Sequence, residues 1–150
     1  MNFVSLPFTD LSTTQLYEIL HLRSEVFVVE QNCVYQDLDR KDIQTTVRHL
    51  MMVDNKQLLG YARLLPSGIS YDTSSIGRII ISPMARDKGL GRLLIQEAMD
   101  CTFRLWPKVA ITIGAQSHLS KMYQSFGFKE ISKHYLEDGI LHVDMHIHHI

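Results

Sequence analysis

The chain has 150 residues, 45% hydrophobic and 21% charged, an ordinary globular balance with enough length for one domain and too little for two. Its 15 basic and 16 acidic side chains leave a formal net charge of −1, which argues against a broad nucleic-acid surface or a polybasic membrane face. Cys33 and Cys101 lack zinc spacing and neither a signal peptide nor a transmembrane run is visible, so a reduced, cytoplasmic setting is expected.

Residues 2–8 read as a short β-rich start. Ser12-Thr13-Thr14-Gln15 has the form of a capping box, with Ser12 at the N-cap and Gln15 three residues on. Leu16, Ile19, Leu20, Arg23 and Phe27 follow at helical spacing and predict a helix over 13–28. Arg23 interrupts the apolar stripe, so it must snorkel or find a partner. Residues 28–46 carry no clear period. A calcium loop counted from Asp37 fails: position five is Lys41, position six is Asp42 instead of glycine, and position twelve is Arg48 instead of glutamate. Asp37, Asp39 and Asp42 are therefore expected on a solvated loop, capping turns.

Residues 47–54 and 57–65 read as a hairpin around Asp54-Asn55-Lys56, and Pro66-Ser67-Gly68 opens a loop to Ser74. The apolar run 76–81 is a strand, followed by Pro83 and the basic turn Arg86-Asp87-Lys88-Gly89-Leu90-Gly91. A long amphipathic helix begins there, with Leu90, Leu93, Leu94, Ala98, Cys101 and Leu105 on or near one face. Trp106-Pro107 ends it. Residues 109–113 predict a short buried strand, and residues 117–126 a helix with Gly127 at C′. Residues 128–136 and 140–148 form a hairpin about Glu137-Asp138-Gly139. This order packs as an α/β (α+β) domain over 1–150: a mixed sheet of about seven strands with helices on both faces.

Strand, glycine turn and helix together are suited to holding a phosphate. The first turn of a helix has N–H groups without partners, and the macrodipole adds partial positive charge. Gly89 and Gly91 lack a Cβ, so an anion can approach the backbone, and Arg86, Lys88 and Arg92 add formal charge. The turn is not a Walker loop. It is not a dinucleotide fingerprint either, since the third glycine position is Leu94.

Arg86-Asp87-Lys88-Gly89-Leu90-Gly91 resembles the acetyl-CoA loop, [R/Q]-x-x-G-x-[G/A], of the GCN5-related N-acetyltransferase (GNAT) superfamily. A second anchor is Gln116 with Tyr123 seven residues later and Gly127-Phe128 beyond, where the superfamily carries an asparagine-like residue, a tyrosine and a Gly-Phe pair. The stretch from Leu22 to Gln31, with Cys33, Tyr35, Asp37, Asp39 and Asp138-Gly139-Ile140-Leu141-His142, resembles the ElaA-like branch. The resemblance covers nearly the whole chain. It implies the GNAT fold and direct transfer of an acetyl group from acetyl-CoA to a primary amine of a small molecule or peptide. It also implies that the fourth and fifth strands splay, with pantetheine pairing to the backbone of Ile79 and Ile81. The pyrophosphate then lies on the backbone of Arg86, Asp87, Lys88, Gly89, Leu90, Gly91 and Arg92. Gln116 borders the cofactor, and Tyr123 protonates the departing thiolate as general acid. Glu30 and His49 are the candidates for a base on the acceptor side, each with a structural alternative: a loop-anchoring ion pair for Glu30 and a sheet hydrogen bond for His49. The acidic residues Asp37, Asp39 and Asp42 could draw in cationic acceptors.

Two other readings stay open at the level of sequence: a CoA-sensing domain with little turnover, and an acyltransferase using another acyl-CoA or acceptor. Cys33, without a matching Cys/His motif, is expected to be a packed loop cysteine. His142, Asp144, His146 and His148 share strand parity, which suits a metal face or a polar face. With no second ligand cluster the polar face is expected, and no metal. No nucleic-acid or membrane partner is expected, and a homodimer is left open.

Overall fold

The computed structural model describes residues 1–149. Eight strands form one sheet: β1 (Asn2–Leu6), β2 (Arg48–Asp54), β3 (Gln57–Leu65), β4 (Ser74–Ile81), β5 (Ile111–Gln116), β6 (Lys129–Glu130), β7 (Tyr135–Glu137) and β8 (Ile140–Ile147). Their order is β1-β2-β3-β4-β5-β8-β6, with β7 also paired to β8. Every pairing is antiparallel except β4 with β5.

Period-two alternation sends the strands' side chains to two cores. Leu50, Met52, Ala62, Leu64 and Ile76 face α2 (Leu90–Leu105), which contributes Leu94, Ile95, Ala98 and Met99. Met51, Tyr61 and Ile80 face α1 (Thr13–Arg23), which contributes Ile19 and Leu22. Ser12 caps α1, accepting from the Gln15 backbone N–H while the Gln15 side chain accepts from the Ser12 N–H. A third, short helix, α3 (Ser120–Gln124), carries Tyr123 into the α2 side. Both two-residue turns need left-handed backbone, and both have it: Asn55 and Lys56 at φ 48° and 64°, Asp138 and Gly139 at φ 51° and 79°.

Two irregularities in β4 shape the cleft of this fold. Tyr61 pairs with Ile80 and Arg63 with Gly77, so β4 has one extra residue, and Arg78 takes φ 52°. This bulge reverses the strand's parity: Ile76 faces the α2 core before it, and Ile79 and Ile81 pack against that same core after it. The pairing of β4 with β5 also stops early, after Ser74–Ile111 and Ser75–Thr112. The Ser74 hydroxyl donates to the Ala110 carbonyl at 2.8 Å, and Thr73 and Thr112 hydroxyls meet at 2.6 Å, pinning the vertex. Beyond it the two strands diverge.

Four sequence expectations are corrected. The helix expected over 13–28 is α-helical only to Arg23 and continues as a π-helical segment, Ser24–Glu30. No glycine or proline marks the change. The helix expected over 117–126 starts as a 3-10 turn, Ser117–Leu119, before α3. The strand expected over 128–136 is two, β6 and β7, which raises the strand count to eight. Between the two, the Asp144 N–H donates to the Ser132 hydroxyl at 2.9 Å. The fourth correction concerns the aspartates of residues 37–42: Leu38 and Arg40 are exposed, and Asp39 accepts from the Lys41 N–H as a turn cap, but the other two aspartates do not face solvent. Asp37 and Asp42 are buried.

Candidate functional site

Arg23 is fully buried with no water to snorkel toward. It donates from Nε to Asp37 at 2.9 Å and from Nη1 to Asp42 at 2.7 Å. Arg63, in the apolar run of β3, donates to Asp42 at 2.9 Å and Asp39 at 2.7 Å. Arg78, placed by the bulge, donates to Asp37 at 2.7 Å. Three arginines thus match three aspartates. Burial pushes the Asp39 and Asp42 carboxyls up, but the arginine hydrogen bonds and charges outweigh it, holding Asp39 near about 2 and Asp42 below the usual range. The expectation that these aspartates attract cationic acceptors is therefore corrected: their charge is cancelled at contact distance. Their work is to fasten the loop after the π segment onto β3 and β4, where it becomes a wall.

That wall and the diverging strands enclose a cavity of about 930 Å³. Its lining includes Val26, Phe27, Ile79, Ile81, Gln116 and Tyr123. Tyr35, Arg78, Tyr71, Glu137 and His142 also line it. Beyond Ser75 the edge of β4 that faces β5 has no ladder partner, so the Ile79 and Ile81 backbone borders the opening. The N-terminus of α2 lies at the end of the turn leaving β4. Gly89 is its N-cap, at φ 72°, and no side chain caps the first turn. Here the left-handed backbone favours glycine. Asp87, Lys88 and Gly89 are exposed, and Leu90 and Gly91 are half-buried.

The side chains of this turn differ in availability. Arg86 lines the cavity and forms a two-point ion pair with Glu30, at 2.7 and 3.1 Å. Arg92 lies over the Phe126 ring at 4.4 Å and donates to Ser125 at 3.1 Å. Gln116 donates weakly to Gln31 at 3.4 Å. Tyr123 is 6% exposed, meets Phe128 edge to face at 5.9 Å, and its hydroxyl makes no hydrogen bond among the described residues. Burial pushes that hydroxyl up to about 12.

The two acceptor-side candidates stand apart from the cavity lining. His49 is 1% exposed, with Nδ1 at 2.7 Å from the Tyr61 hydroxyl and Nε2 at 3.0 Å from the Asp42 carbonyl. Burial holds its protonation below the ordinary histidine range. Glu30 is committed to Arg86. Sequence reading missed Arg78, Tyr35 and Tyr71 on the wall. It also took His142 only as part of a polar strand face. The signal for Arg23 and Arg63 was available: a cation inside an apolar pattern needs an anion, and three aspartates stand nearby in sequence. Cys33 is a packed cysteine whose thiol donates to the Asp138 carbonyl.

The fold is that of the acyl-CoA N-acyltransferases. A crystal structure described as an acyl-CoA N-acyltransferase from Pseudomonas aeruginosa superposes with a TM-score of 0.92 at 39% identity, covering 97% of this chain and 99% of that one. The family model of the acetyltransferase (GNAT) domain matches residues 10–149. Protein ElaA of Escherichia coli K12 is 42% identical over 137 residues, 91% of this chain and 90% of its own. The crystal structure of E. coli ElaA superposes with a TM-score of 0.90 over 97% of each chain. The chain belongs to the GNAT acetyltransferase family, on its ElaA-like branch.

Proposed function

We propose that the protein transfers an acetyl group from acetyl-CoA to a primary amine by direct attack, without an acyl-enzyme. The observation that carries this reading is the diverging β4–β5 pair with the unbonded Tyr123 hydroxyl on the cavity it opens. The Pseudomonas relative is described by the same general reaction.

The residues present fit a CoA-type ligand. The exposed β4 edge offers backbone groups to an amide-containing arm. The uncapped first turn of α2 offers unpaired N–H groups and partial positive charge to a pyrophosphate, with Lys88 beside it. Arg86 meets a phosphate only by leaving or sharing Glu30. When bound, acetyl-CoA supplies the activated acyl group. The protein orients the amine against it, excludes water, and gives a proton to the departing sulfur from Tyr123. A phenol pushed up to about 12 stays protonated at neutral pH and so holds that proton ready.

The experiment is acetyl-CoA with a panel of butylamine, putrescine, lysinamide and a lysine-containing peptide. Free thiol and acetylated amine are measured together. Amine-dependent thiol release with matching product supports the reading. Tight binding of acetyl-CoA with no transfer to any of them refutes it in favour of a binding domain.

A further inference from the structure

Among the described residues two imidazoles line the cavity, the exposed His118 and the half-buried His142. His142 sits just after the β7–β8 turn and lines the same cavity as Tyr123. It stands directly opposite Gln116 in the β5–β8 register, so the two side chains share a face of the sheet. Its side chain is 13% exposed. Its Nδ1 is 2.7 Å from the Ile140 carbonyl oxygen. A carbonyl only accepts, so Nδ1 bears the proton of the neutral ring and Nε2 bears the lone pair. Nε2 has no hydrogen-bond partner among the described residues. The nearest charge to it is the Glu137 carboxylate, at 3.9 Å. The ring is held flat by stacking on Tyr135, 6.0 Å between centroids at 21°.

The surrounding charges are otherwise engaged. Asp144, two residues along β8, accepts from the Tyr135 hydroxyl at 2.6 Å and the Tyr71 hydroxyl at 3.2 Å. Across the cavity, Arg78 and Arg63 are bound to Asp37, Asp39 and Asp42. Lys41 donates to Ser70. Asp138 in the adjacent turn and His118 before α3 also border the cavity, both exposed. His134 is tied to Ser117 and Glu130, and His49 has both nitrogens occupied.

We propose that His142 is the general base that takes the proton from the acceptor ammonium, with Glu137 facing the imidazolium that results. The proposal rests on the acyl-transfer reading above. The amine arrives as R–NH3⁺ and gives one proton to His142 Nε2. Its lone pair then forms the C–N bond at the thioester carbonyl, and the C–S bond breaks. The sulfur takes the Tyr123 proton, and the nitrogen's surplus proton restores Tyr123. His142 returns its proton to water, so one acetyl-CoA and one ammonium yield one amide, one thiol and one proton.

The test uses the intact protein, acetyl-CoA and whichever of the four amines wild type accepts. His142→Asn keeps a side-chain N–H that can reach the Ile140 carbonyl and deletes Nε2. It lowers kcat/KM at neutral pH by ~10²-fold, and the loss shrinks as rising pH deprotonates the amine in solution. The rise in Tm on adding acetyl-CoA stays at its wild-type size. Glu137→Gln, on a side chain 60% exposed and so safe for folding, moves the acidic limb of kcat/KM to lower pH, a change that a merely structural role would not produce. A folded His142→Asn with wild-type rate and profile overturns the proposal and leaves the acyl-transfer reading intact. So does an unmoved limb in Glu137→Gln, should His142→Asn fail to fold. Failure of wild type on every amine overturns both.

Discussion

Tyr123 and His49 are both buried beyond ordinary solvent contact, and burial acts on them in opposite directions. Burial pushes the Tyr123 hydroxyl up to about 12, so it keeps its proton where an ordinary tyrosine begins to lose one. Tyr123→Phe retains the ring against Phe128 and deletes the proton. We expect kcat to fall by ~10²-fold while the stabilisation by acetyl-CoA persists. Wild type should show no alkaline limb up to about pH 10. An unchanged kcat in the variant, with chemistry rate-limiting, contradicts the assigned role. For His49, burial disfavours the charged ring, outweighing the Asp42 carbonyl and carboxylate. Its folded value lies below the unfolded one, so the unfolded state binds the proton first. Its contribution is present above pH 6.5 and is lost as pH falls from there through the folded value. His49→Gln should therefore flatten the dependence of Tm on pH just below 6.5. An equally steep slope in the variant would show that another group carries it.

The turn between β4 and α2 is where local geometry bears most on the proposed binding of acetyl-CoA. A Cβ at Gly89 meets no atom within 4 Å, so space is not the constraint there; the φ of 72° is. Gly89→Val forces the backbone out of that conformation at a cost of ~1–3 kcal/mol, confined to the turn. The apo fold should survive, and the rise in Tm with acetyl-CoA should disappear. A full-sized rise would remove this turn from the binding site. Elements whose shape depends on neighbouring residues alone were legible in the sequence: the Ser12 capping box, both left-handed turns, and the start of α2 at Leu90. The π segment and the Arg78 bulge were not: no glycine or proline marks the first, and the second has its partner far along the chain. Arg78 holds its left-handed backbone while bonded to Asp37, and nothing in Gly77-Arg78-Ile79 announces that partner.

At the scale of the molecule, six charges hold the unperiodic loop against the sheet and so make the cavity wall. Arg23→Met removes one buried cation and leaves an excess buried carboxylate, a loss expected to cost ~3–5 kcal/mol. Differential scanning calorimetry should show Tm lower by about 10 °C, given ~2–4 °C per kcal/mol for a domain of this size. A change of a degree or two would show that Arg63 and Arg78 suffice. Because the Asp39 and Asp42 carboxyls are depressed, their contribution is present above about pH 4 and lost as pH falls through their folded values, about 2 for Asp39 and below the usual range for Asp42. The sheet could be read from residue types and spacing; the parts proposed for the glycine turn and Tyr123 are those the family resemblance implies. Glu30, His49 and the aspartates have the chemistry of an acceptor side, but ion pairing and burial engage them elsewhere, and that depends on contacts distant in sequence. The central claim is direct transfer from acetyl-CoA to an amine. Its most direct test is acetyl-CoA labelled in the acetyl group, with thiol, labelled amide and labelled protein followed over a single turnover. We predict one thiol per labelled amide, no thiol release without amine, and no label on the protein. Thiol released without amine, or label retained on the chain, would contradict it.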